Sequence, residues 1–302
     1  QPVPTIVNQV AHLTLFQRTA QWVMPQDNPA YSEEERASFR DDPSTAAALH
    51  DEISELFANG FSNAVVDADS ELLHKIEETC RLNLEESVTD PVLREQLRPD
   101  YRAACKRLVI SPNFYEGIQK TNASLVTETI TEVEANGVRT ADGQYHELDV
   151  LIVATGFQVD RFLRPIDVVN PDGLHLSEAW AQRPNAYLSV AVPGFPNLFM
   201  LNGPNGPVGN FSLIEVAELQ FAYFAQLIEL LRSGEAEALS PTFEATKAFE
   251  GERVEQAKKT VWATGCRSWY LDDRGIPAAW PWTFQKFRDA MTQPDLAHYQ
   301  KK

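Results

Sequence analysis

Two short basic segments stand out in a chain whose 43 Asp and Glu residues outnumber its 26 Lys and Arg and leave a net charge of −17. The first is Phe16-Gln17-Arg18-Thr19, which directly follows the strand-like run His12-Leu13-Thr14-Leu15-Phe16. An arginine at the carboxyl end of a strand can clasp a phosphate through two parallel hydrogen bonds. Read alone, Arg18 is more simply a surface residue. The second is Cys105-Lys106-Arg107, at an element boundary. A lone Lys-Arg pair is usually solvated, yet in so acidic a protein any anion site needs its own local cations. Two glycine-containing turns complete the set: Thr155-Gly156-Phe157, and the run 202–210 that holds Asn205 and Asn210. Open α/β sheets bind ligands at the carboxyl ends of their strands. A helix start after a glycine-rich loop offers free N–H groups to an anion. On spacing alone, the 202–210 loop is equally well explained by a plain strand-to-helix turn.

Several chemistries are excluded. No two glycines are spaced G-x-G, so neither a dinucleotide fingerprint nor a kinase loop is present, and there is no P-loop and no G-x-S-x-G elbow. His12, His50, His74, His146, His175 and His298 form no H-E-x-x-H or comparable cluster, so no metal site is expected. Cys80, Cys105 and Cys266 show no C-x2-C or C-x4-C spacing, which argues against a redox dithiol. The acidic surface repels nucleic acid and anionic membrane, and no run approaches the apolar length of a membrane span. The odd number of cysteines argues against a disulfide framework, so a reduced, cytoplasmic setting is the simplest reading. Hydrophobic residues make up 43% and charged residues 23%, enough for a substantial core. The start, Gln1-Pro2-Val3-Pro4, reads as a cut into a longer chain.

The elements that position these residues form an α/β pattern. Residues 27–95 are acidic and alanine-rich, with Leu49, Ile53, Leu56 and Phe57 at helical spacing, a second helix near 71–84 and a helix start at Asp90-Pro91. The simplest reading is a helical insertion that packs and shields. Strands are predicted at 107–110 and 124–127, then a meander with a turn at Asp142-Gly143. Residues 148–154, Leu-Asp-Val-Leu-Ile-Val-Ala, are apolar almost throughout, as in strands covered on both faces, and 197–201 read as another buried strand. A long helix, mostly buried, is predicted from Ser212 to Arg232.

Taken in order, these segments resemble the class B flavoprotein monooxygenases, and the Baeyer–Villiger branch best. Phe16-Gln17-Arg18-Thr19-x-x-Trp22 resembles the F-Q-R-T-P-x-W segment of that family; Cys105-Lys106-Arg107 and Phe114-Tyr115-Glu116 resemble its K-R and Y-Y-E segments. The run from Gly137 to Gly143 precedes the Ala154-Thr155-Gly156-Phe157 strand end, and Gly194-Phe195-Pro196-Asn197 leads into Gly203-Pro204-Asn205-Gly206-Pro207. Ser268-Trp269-Tyr270 matches a late S-W-Y. Ala20 replaces a usual proline, and Leu108 replaces a frequent one after the K-R pair; neither change removes a charged group.

The resemblance implies two Rossmann-like dinucleotide-binding domains, both incomplete here, with a helical insertion. Residues 1–157 would be the remainder of the NADPH-binding domain, including the insertion at about 27–95. Residues 158–302 would be the carboxy-terminal half of the FAD-binding domain. It implies FAD and NADPH as cofactors, and a ketone and O2 as substrates. Arg18, Thr19 and Lys106 would hold the 2′-phosphate of NADPH. Arg107 would stand beside the flavin, Trp269 near the nicotinamide ribose, and Thr155, Gly156, Phe157, Asn205 and Asn210 toward the flavin. An N- or S-oxidising flavin monooxygenase, and a non-catalytic binding remnant, remain as alternatives.

Overall fold

Helix starts in this chain are set by side-chain caps. Ser32 and Glu35 form a reciprocal capping box, Asp42 and Asp90 accept from the backbone two residues on with proline following each, and Ser212, Thr242 and Thr283 cap three further helices. A computed structural model describes residues 2–209 and 211–302. In chain order the elements are α1 (Pro2–Ile6), β1 (Leu13–Phe16), β2 (Val23–Met24), α2 (Glu33–Asp41), α3 (Pro43–Phe57), α4 (Glu71–Ser87), α5 (Pro91–Gln96) and β3 (Val109–Ile110). Then come α6 (Phe114–Ile118), β4 (Ala123–Val126), β5 (Ile130–Glu134), β6 (Gly137–Thr140), β7 (Tyr145–Glu147) and α7 (Leu176–Ala179). The chain closes with α8 (Leu213–Arg232), β8 (Leu239–Pro241), α9 (Phe243–Ala257), α10 (Phe284–Thr292) and β9 (Tyr299–Lys301).

The chain divides into two units, residues 1–30 with 74–157, and residues 31–73 with 158–302. In the first, β1 runs parallel to β4 from Leu13↔Ala123 to Phe16↔Val126, and β2 runs parallel to β3. Parallel pairs need crossovers, and here helices lie between the paired strands. Val3, Val7, Leu13, Val23, Leu84, Val88 and Ile118 form its core. β5, β6 and β7 make an antiparallel meander that turns at Gly143, whose φ is +85°.

Residues 148–154 do not form the predicted buried strand. They have no regular structure, and Val150, Ile152 and Val153 are 74%, 60% and 69% exposed. The chain leaves β7 at Glu147, and among the described residues no strand lies beside 148–154 to accept its backbone hydrogen bonds or cover its faces.

In the second unit α8 is central. Val216, Tyr223, Phe224 and Leu227 pack with Val190, Trp280, Phe284, Phe287 and Met291. The helix is buried on one face rather than for the most part, since Ile214, Phe221 and Ile228 are exposed. Its apolar residues run round more of the cylinder than this unit covers. The predicted strand at 197–201 is reduced to one isolated bridge, Ala191 to Phe199, because Asn197 takes a left-handed φ of +62° that an extended strand cannot hold. α3 joins this unit through Ser54, whose hydroxyl donates to Glu215 at 2.7 Å, and through Glu55, paired with Arg288. Ile53, Leu56 and Phe57 of α3 are exposed, so that apolar set shields little. Among the described residues no helix is long and apolar enough to cross a membrane.

Candidate functional site

The candidate residues fall into two groups, one in each unit. In the first unit the end of β1 is pinned where Gln17 N–H donates to Val126 O at 2.8 Å and the Gln17 amide donates to Gln96 O at 3.1 Å. Arg18 and Thr19 follow, and Arg18 is exposed. Lys106 comes from a distant segment. Its ammonium stands over the Tyr101 ring, 4.6 Å from the centroid. Burial pushes the Lys106 pKa down, Asp100 acts in the opposite sense, and the charge of Arg18 lowers it further. The Tyr101 hydroxyl donates to Ala20 O at 3.0 Å, so the ring beneath Lys106 also bonds the turn that follows Arg18 and Thr19. Neither Arg18 nor Lys106 forms an ion pair with a carboxylate among the described residues. A nearby like charge carries a cost that a bound anion would remove.

Arg107 follows Lys106 and leads into β3, whose Val109 N–H donates to Trp22 O at 3.0 Å. Arg107 is exposed and makes no hydrogen bond or ion pair among the described residues. That differs from Arg98 and Arg102, both bound to carboxylates. The segment's shape is set from behind. Glu77 of α4 accepts from Arg102 Nε at 3.0 and 3.1 Å and from Ala103 N–H at 3.0 Å, and Ala104 adopts a left-handed φ of +63°. Thr155, Gly156 and Phe157 are exposed in irregular chain, with Gly156 at φ +88° and Phe157 95% exposed. They do not cap a strand as predicted, because the strand is not formed.

In the second unit the loop at 202–209 is held from three sides. Ser189 Oγ donates to Gly203 O at 2.6 Å, Trp280 N–H donates to Gly206 O at 3.0 Å, and Asn202 N–H donates to the Gln220 side chain at 2.6 Å. A Cβ on Gly203 would overlap the Ser189 carbonyl oxygen, one on Gly206 the Ser189 hydroxyl, and one on Gly209 the Tyr270 ring. These spaces are filled by protein, so the glycines serve close packing rather than a vacant phosphate cradle. Asn205 is buried in this loop at φ +64°, and Asn210 lies outside the described residues. The start of α8 is closed as well, since Ser212 Oγ accepts from Glu215 N–H and the Glu215 carboxylate occupies the first turn. The plain-turn reading of this loop is the one the geometry favours. Trp269 stacks on Tyr270, the residue whose ring fills the space beside Gly209, with centroids 4.0 Å apart, and stays 45% exposed.

Tyr101, Glu77, Ser189 and Gln220, which hold these groups in place, were not singled out by sequence reasoning. Each acts on a residue far away in the chain, and no local spacing marks it. Tyr270 carried a signal, its place in Ser268-Trp269-Tyr270.

No protein-family model matches the chain. An uncharacterized monooxygenase of Mycobacterium tuberculosis is 42% identical over 278 residues, covering 91% of this chain and 55% of its own length. A Baeyer–Villiger monooxygenase of Streptomyces coelicolor is 37% identical over 306 residues, 99% of this chain and 58% of its own. Among solved structures, cyclohexanone monooxygenase of Rhodococcus sp. Phi1 bound to NADP+ superposes with a TM-score of 0.82 at 25% identity, covering 99% of this chain and 64% of that one. An oxidized steroid monooxygenase bound to NADP shares the fold at a TM-score of 0.83, covering 100% of this chain and 64% of that one. The chain thus spans little more than half the length of the curated relatives it matches.

Proposed function

We propose that this chain, which is similar over nearly its whole length to a Baeyer–Villiger monooxygenase, is part of an FAD-dependent, NADPH-consuming enzyme of that family. In this reading the full-length protein inserts one oxygen of O2 next to a ketone carbonyl, giving an ester or lactone. When bound, FAD supplies the redox chemistry, accepting hydride from NADPH and activating dioxygen. The residues of this chain bind, orient and supply charge.

Arg18 and Lys106 take the 2′-phosphate of NADPH, with Thr19 offering its hydroxyl. The observation that supports this most directly is that Tyr101 joins the two segments, its ring under the Lys106 ammonium and its hydroxyl bonded to the turn after Arg18, while among the described residues neither cation is bonded to a carboxylate. Arg107 supplies a positive charge that persists at any working pH. A fixed cation favours the deprotonated form of an adjacent oxygen acid, which is the nucleophilic form a ketone carbonyl requires. Trp269, stacked on Tyr270, is assigned to the nicotinamide end of NADPH. Thr155, Gly156, Phe157, Asn205 and Asn210 are assigned to the flavin.

The cofactor assignment has a direct test. The full-length protein is expected to prefer NADPH to NADH, and Arg18→Ala to weaken NADPH by about tenfold or more, since a charge-assisted hydrogen bond contributes about 1.5–3 kcal/mol. Steady-state kinetics with both nucleotides decide it. Equal use of the two by the wild type would contradict the assignment.

A further inference from the structure

The two cationic segments of the first unit meet at one side chain that neither contains. The Tyr101 carbonyl accepts from Trp22 Nε1 at 2.7 Å. The Tyr101 hydroxyl donates to Ala20 O at 3.0 Å, with the Gln21 side-chain oxygen 3.3 Å away. Gln21 in turn donates from its amide to Thr19 O at 3.0 Å. The turn that carries Arg18 and Thr19 is therefore bonded to Tyr101 at both Ala20 and Trp22. The other face of the same residue serves Lys106, whose ammonium sits 4.6 Å above the ring centroid. Tyr101 itself has little freedom to drift, because the next two residues, Arg102 and Ala103, are clamped by Glu77.

Lysine carries its charge on a flexible four-carbon stem, and fixing that stem costs side-chain entropy at the moment a ligand binds. An aromatic face beneath the ammonium meets part of that cost beforehand. Ala20 adds a second need. Alanine leaves φ free where a proline would set it, and the hydrogen bond from Tyr101 restrains that backbone instead.

We propose that Tyr101 is a positioning residue for the 2′-phosphate site, its ring holding Lys106 beside Arg18 and its hydroxyl fixing the turn that bears Arg18 and Thr19. This rests on the reading of Arg18 and Lys106 as the 2′-phosphate grip. Tyr101 acts on the selectivity between nucleotides rather than on their shared parts, so its loss discriminates against the phosphorylated one alone. Burial raises the phenol pKa to about 12, so the hydroxyl remains a donor across the working pH range.

The test is equilibrium titration of the full-length FAD-loaded protein with NADP+ and with NAD+, followed by flavin absorbance, for wild type, Tyr101→Phe and Tyr101→Leu. Tyr101→Leu is expected to weaken NADP+ by roughly three- to tenfold while NAD+ stays within about twofold. Tyr101→Phe keeps the ring and the fold, loses the tether to Ala20, and is expected to lose a smaller part of the discrimination. Adding Lys106→Gln to Tyr101→Leu should cost less than Lys106→Gln alone, because the two act through one contact. An unchanged NADP+ to NAD+ ratio in Tyr101→Leu, an equal weakening of both nucleotides, or full additivity with Lys106→Gln overturns the inference and leaves the cofactor reading standing. Equal wild-type affinities for the two nucleotides overturn the cofactor reading and the inference with it.

Discussion

Replacing Arg107 by alanine in the full-length protein is expected to leave FAD bound and the melting temperature unchanged, while ester formation per bound flavin falls by roughly a hundred- to a thousandfold. The size follows from removing one preorganised charge aimed at developing negative charge, typically about 2.7–4 kcal/mol. The expectation of unchanged stability comes from the structure, in which Arg107 is exposed and unpaired among the described residues. Arg107→Lys should recover activity only in part, since a point charge lacks the planar fork of the guanidinium. Flavin content, melting temperature and ester yield on one preparation separate the possibilities. Near-normal ester yield per flavin would refute the catalytic assignment, and lost flavin with a lowered melting temperature would point to a structural role.

A second large effect is expected at the loop of the second unit, on stability. A Cβ at Gly203 would overlap the carbonyl oxygen of Ser189. That oxygen belongs to fully buried backbone and already accepts from Gln220. Ser189 and Leu188 both hold left-handed φ values, +65° and +50°, so the segment has little room to yield without losing its contacts. Gly203→Ala is therefore expected to destabilise by about 1–3 kcal/mol, read as a melting temperature lower by several degrees. Gly251, inside α9 with nothing near its missing Cβ, is the contrast: Gly251→Ala should stabilise by about 0.5–1 kcal/mol. Similar melting temperatures for the two variants would show that the loop is not wedged as described.

Much of the local structure was legible from the chain. Strand β1, the Asp90-Pro91 helix start, the turn at Asp142-Gly143 and the onset of α8 after Ser212 all carry their signals within a few residues. What was not legible depends on distant partners. An apolar run such as 148–154 announces only that it would be buried if something covered it, and its composition does not say whether a neighbouring strand exists. The acidic helices at 27–95 read as one insertion, yet 31–73 group with the second unit and 74 onward with the first. That split is decided by contacts such as Arg288 with Glu55 and Arg102 with Glu77, between residues far apart in the chain.

The candidate site shows the same division. Arg18, Lys106, Arg107 and Trp269 were found from the order of short motifs. That Lys106 sits over Tyr101, whose hydroxyl bonds the turn after Arg18, and that Ser189 and Gln220 brace the 202–209 loop, could be read only once the chain was folded. The 202–209 glycines were read as an anion loop or a plain turn, and the choice fell to the turn because Ser212 and Glu215 already close the helix start.

The central claim is tested most directly by product analysis. The full-length protein, loaded with FAD and supplied with NADPH and isotope-labelled dioxygen, is incubated with cyclic and linear ketones and with a thioether. The expected result is an ester or lactone carrying one labelled oxygen, formed in proportion to NADPH consumed. Sulfoxide as the only oxygenated product, or NADPH oxidation with no ester from any ketone, would contradict it.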